Sequence, residues 1–130
     1  MLREEREIEE RSTMTEYTRP AGKTTIAPEV LITIARMATL SVPGVEAMAP
    51  VAGGVNRLFQ RGPENGVQIT IRDGIVSADI FVIVKEEVNI REVGRNVQQQ
   101  VTRAIQEMTS MDVGRIDIHI EDIHYEGSEA

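Results

Sequence analysis

Val67-Gln68-Ile69-Thr70-Ile71-Arg72-Asp73-Gly74-Ile75-Val76-Ser77-Ala78-Asp79-Ile80-Phe81-Val82-Ile83-Val84-Lys85 is the stretch that decides the fold. Val67, Ile69 and Ile71 alternate with Gln68, Thr70 and Arg72. After Asp73-Gly74, Val76, Ala78, Ile80, Val82 and Val84 alternate with Ser77, Asp79, Phe81, Ile83 and Lys85. A period of two puts each set on one face of a strand, and Asp-Gly supplies the positive φ angles of a tight turn. The stretch therefore reads as a β-hairpin with one apolar face. Phe81 and Ile83 fall on the other face of the longer strand, where an apolar residue needs a cover of its own.

Amphipathic helices are predicted on both sides of the hairpin. Upstream, Val30, Leu31, Ile34, Ala35, Ala38 and Val42 recur at helical spacing over residues 29–41. Pro28 suits the first helical turn, and Pro43-Gly44 ends the helix. Downstream, Ile90, Val93, Val97, Val101, Ala104, Ile105 and Met108 form a continuous stripe over residues 90–108. Asn89 is the expected N-cap, with Glu92 three residues on. Short strands are expected at residues 24–27 and 45–48. A last strand is expected at 115–124, where Ile123 falls out of the alternation and marks a bulge or a switch of packing. The predicted fold is α+β, with two helices packed on one face of a mostly antiparallel sheet, in the order β-α-β-β-β-α-β.

The chain is 130 residues long, carries a net charge of −7 and has neither Cys nor Trp. The length suits one domain, expected over residues 20–125. Residues 1–19, dense in Glu and Arg, are expected to form a mobile acidic tail, and residues 126–130 a disordered C-terminus. Met14 offers an alternative start. The lack of Cys excludes disulfides, thiolate metal sites and Cys nucleophiles. No apolar run approaches the roughly 20 residues needed to span a bilayer. The expected location is the cytoplasm, with any membrane association made through a partner.

Residues 49–65 form an irregular, Gly- and Pro-rich region. Within it, Arg57, Leu58, Phe59 and Arg61 make a small basic–apolar patch in an acidic protein. Together with Phe81 and Ile83 these are the candidate partner-binding residues; the plainer alternative folds Leu58 and Phe59 back onto the core. His119 and His124 are the only histidines, with Asp117, Glu121 and Asp122 nearby. Same-face residues on a strand are nearly 7 Å apart, so a water-facing polar strand is favoured over a metal site. Gly53-Gly54 lacks the continuation of a phosphate loop, and no serine sits in a nucleophile elbow. Arg91, Arg95 and Arg103 are read as a solvated helix face. No catalytic, metal or cofactor residues are assigned.

The ordered succession of several segments resembles the alkaline shock protein family of bacterial envelope stress response proteins. These segments are Gly22-Lys23-Thr24-Thr25-Ile26-Ala27-Pro28-Glu29-Val30, Val42-Pro43-Gly44-Val45 and Gly53-Gly54. They continue with the second hairpin strand, the helix bearing Val93, Val97, Gln100-Val101 and Ile105, and the closing Val113-Gly114-Arg115-Ile116-Asp117-Ile118-His119-Ile120-Glu121-Asp122-Ile123. The resemblance implies a non-enzymatic scaffold or adaptor in envelope or alkaline stress. Such a protein works through protein partners, including a membrane-anchored one, and self-associates as a homo-oligomer. A small nucleic-acid-binding module is the competing reading. The acidic charge and the lack of an aromatic stacking platform weigh against it. A metal-dependent enzyme built on His119 is the third.

Overall fold

The Asp-Gly hairpin forms as its alternation requires. The computed structural model describes residues 22–51 and 66–126. In chain order these contain α1 (Pro28–Leu40), β1 (Val45–Met48), β2 (Val67–Arg72), β3 (Ile75–Lys85), α2 (Ile90–Thr109) and β4 (Asp112–His124). Asp73 and Gly74 have φ of 54° and 76°, the two successive positive values that match a turn to the twist of a two-strand ribbon. The segment 1–19 and the patch Arg57, Leu58, Phe59 and Arg61 lie outside the described residues, as do residues 127–130.

β3 is the axis of the sheet. One of its edges carries two strands end to end, both antiparallel to it: β2 pairs with Ile75–Ile80 and β1 with Val82–Val84. The two short strands meet at Phe81. Its N–H donates to the Gly66 carbonyl, and its own carbonyl accepts from the Ala49 N–H, each at 2.8 Å. The other edge of β3 carries β4 in a parallel ladder from Ile75↔Asp112 to Lys85↔His124. A parallel neighbour needs a crossover, and α2 supplies it. The ladder slips at Gly114–Arg115 and again at Glu121, so the bulge expected near Ile123 is present.

Both helices lie on one face of the sheet, as predicted. Leu31, Ile34 and Ala35 of α1 and Val93, Val97, Val101 and Ile105 of α2 pack with Val76, Ala78, Ile80, Val82 and Val84 of β3 in one apolar cluster. Burying each of the larger side chains is worth about 1.5–3 kcal/mol. Thr39 is the one buried polar side chain among the described residues, and its hydroxyl donates to the Ala35 carbonyl at 2.7 Å. Asn89 caps α2 by accepting the Glu92 N–H at 3.0 Å.

The opening strand expected at residues 24–27 does not form. Ala27 is extended, with φ −70° and ψ 146°, as the residue before a proline must be. Extended backbone becomes a strand only when a neighbour takes its hydrogen bonds, and no ladder of the sheet includes these residues. Ile26 instead packs against the core as a single half-buried side chain. The described order is therefore α-β-β-β-α-β, still an α+β fold with two of the three strand pairings antiparallel.

Candidate functional site

The sheet face turned away from the helices holds the polar half of each alternation. β3 brings Ser77, Asp79, Phe81, Ile83 and Lys85 there, and β4 brings Asp117 and His119 beside Asp79 and Phe81. Phe81 and His119 stack with ring centroids 4.4 Å apart and planes 12° from parallel. His119 Nε2 lies 3.0 Å from Asp79 Oδ1, with both side chains about 40% exposed. Arg115 pairs with Asp117 at 2.8 Å. His119 thus takes a carboxylate from the adjacent strand, not from Asp117 or Glu121 on its own. Parallel pairing of β3 with β4 creates that contact, and no spacing within either strand announces it.

An apolar centre lies among these charges. Ala49, Val51, Phe81 and Ile83 form a small cluster separate from the main core. Phe81 is 7% exposed, because Ala49 and Val51 lie against it and His119 stacks on it. Ile83 remains half-exposed. Of the two candidate contact residues on this face, Ile83 is therefore the one that offers surface. The other four candidates, Arg57, Leu58, Phe59 and Arg61, lie outside the described residues.

Two of the concavities among the described residues lie at one end and one edge of the sheet. One, of about 490 Å³, lies at the C-terminal end of β3 and is lined by Glu46, Lys85, Glu86, Glu87, His124 and Glu126. Its carboxylates do not converge: no group of three His, Asp or Glu side chains among the described residues is arranged to hold a metal ion. The other is an open groove of about 590 Å³ between α2 and β4, lined by Ile90, Arg91, Gly94, Arg95, Gln98, Ile118 and Ile120. No window of the sequence shows this groove, because it arises where the crossover helix meets the outermost strand. α2 leaves Ile118 and Ile120 half-exposed because β4 is the outermost strand. No helix among the described residues is long and apolar enough to cross a membrane.

Solved structures of MamM-CTD variants share an outline with this fold. One covers 74% of this chain and 98% of its own at a TM-score of 0.48 and 14% identity, a likeness that carries nothing about function. Sequence relatives are closer. The chain is 33% identical over 107 residues to YqhY of Bacillus subtilis, covering 81% of this chain and 79% of that protein. It is also 33% identical over 112 residues to Spy1535 of Streptococcus pyogenes serotype M6, covering 84% and 82% respectively. The expected resemblance holds over nearly the whole described fold: through residues 16–125 the chain belongs to the alkaline shock protein 23 family, a family of cell envelope-related function.

Proposed function

We propose that the chain is a non-enzymatic cytoplasmic scaffold or adaptor of the envelope and alkaline stress response. It acts through protein–protein contacts and is held at the membrane by an anchored partner. The observation that carries this reading is the half-exposed Ile83 beside Phe81, Ala49 and Val51, on a sheet face that neither helix covers, in a chain of an envelope-related family. Apolar centres rimmed by charge are the usual anatomy of a docking patch. Arg57, Leu58, Phe59 and Arg61 are further candidate contacts on the ground of sequence alone, since basic and apolar side chains suit an acidic, amphipathic partner segment. The same reading expects copies of the chain to associate.

Affinity capture from the native cell tests it. The tagged wild type is expected to retain an integral membrane protein, and Ile83→Lys to lose it. A lysine at this half-exposed site can extend its ammonium into water, so the melting transition is expected to stay close to that of the wild type. Phe81→Lys is a poorer probe, because Phe81 is buried. Failure of the wild type to retain any membrane protein, or equal retention by Ile83→Lys, would overturn the proposal.

A further inference from the structure

β4 is the longest strand and the outermost one: among the described residues it pairs only with β3. An open edge of this length is a template for another strand unless charge, proline or a cover blunts it. β4 contains no proline, and its charged residues, Asp112, Arg115, Asp117, Glu121 and Asp122, are of both signs, so a strand of matching charge order is not repelled. The Arg115 N–H donates to the Ser77 hydroxyl on β3, while the Ile116 carbonyl points the other way and accepts from the Gln98 amide at 2.9 Å. Backbone groups of successive strand residues alternate between the two edges. Ile116, Ile118 and Ile120 therefore direct theirs outward, and the Gln98 side chain satisfies one of them.

Side-chain order along β4 identifies what fits that edge. Arg115-Ile116-Asp117-Ile118-His119-Ile120-Glu121 is complementary to its own reverse. Run antiparallel to itself about Ile118, the segment sets Arg115 opposite Glu121, Asp117 opposite His119, and Ile116 opposite Ile120. Ile118 then faces its own copy. Opposite charges directly across a strand pair stabilise it and like charges weaken it. Sliding the centre to Asp117 sets that carboxylate against itself; sliding it to His119 sets Asp117 against Glu121. Of these three registers, the one centred on Ile118 alone sets no like charges opposite each other and keeps apolar against apolar. The sheet face beneath α2 agrees. Half-buried Ile118 and Ile120 floor the groove there, and Gly94 borders it in the second turn of α2. A Cβ at Gly94 would meet nothing within 4 Å, so packing within the chain does not demand glycine, and its absent side chain leaves room above the isoleucines.

We infer that the chain forms a two-fold symmetric dimer in which β4 pairs antiparallel with β4 of a second copy, centred on Ile118, so that one sheet runs through both subunits. The inference builds on the reading of the chain as a contact-making protein, but it uses the sheet edge and leaves the Ile83 face free for another partner.

Sedimentation equilibrium of the purified full chain tests it. Arg115 and Glu121 are exposed, so Arg115→Glu and Glu121→Arg should both fold, which circular dichroism checks. Each variant alone sets like charges opposite each other twice per dimer, and its dissociation constant is expected to rise at least about tenfold. Mixing the two variants restores opposite charges at both crossings, and the mixture is expected to dimerise like the wild type. A wild type that stays monomeric through the micromolar range would overturn the inference. So would a dimer that neither variant weakens, or one that mixing fails to restore. A dimer broken by Ile83→Lys and untouched by the charge variants would sink the β4 contact and leave the scaffold proposal standing. A charge-swappable dimer that captures no membrane protein would do the reverse.

Discussion

Phe81 donates its amide to Gly66 and accepts from Ala49, so a single residue of β3 joins two strands that are distant in sequence. The chain comes close enough there to exclude a side chain at Gly66, where a Cβ would stand 2.7 Å from the Phe81 carbonyl oxygen and closer still to that of Ala49. Both obstacles are backbone, which cannot rotate away. Gly66→Ala is expected to lower stability by about 1–3 kcal/mol in urea denaturation, the usual cost of overpacking. An unchanged midpoint would mean that the junction is looser than described. Alternation alone assigned Phe81 to the face opposite the helices. What lies against it was not legible, because its cover comes from Ala49, Val51 and His119, which strand pairing alone brings together. The Asp79–His119 pair was hidden for the same reason. Asn89 was readable at this scale, since an N-cap bond spans only three residues.

Among the elements, α2 was the most legible. Val93, Val97, Val101 and Ile105, four residues apart, are its buried set, and Arg103 and Glu107 pair on the exposed side at 3.2 Å. Its exit was less so: Ser110 closes the helix with φ 62°, a left-handed position more often filled by glycine or asparagine. Val101 is fully buried at the middle of the stripe. Val101→Asp is expected to abolish cooperative folding, because an unpaired carboxylate in that cluster costs several kcal/mol. A sharp thermal transition in this variant would contradict the packing of α2. The predicted strand over residues 24–27 shows the converse. Its residues favour extended backbone, but local preference has no knowledge of whether a neighbouring strand is there to pair.

For the whole molecule, the two helices, the hairpin and the α+β class were readable because each rests on periodicity within a short window. The strand order was not. Placing β4 parallel to β3, and β1 and β2 in tandem on the opposite edge, depends on contacts between distant residues that no window contains. That arrangement sets the two proposed contact surfaces apart, one on the open face near Ile83 and one along β4. The tandem edge has its own consequence. Because Ala49 and Gly66 are both anchored to Phe81, the intervening stretch starts and finishes at nearly one point, whatever its length. Lengthening a connection whose ends are already pinned costs only about 0.6 kcal/mol per doubling. An epitope tag spliced between Arg57 and Leu58 should therefore leave the melting temperature within a few degrees of the native value, as scanning calorimetry would record. This closed seam lets the sequence joining Ala49 to Gly66 change in evolution while the sheet keeps its register.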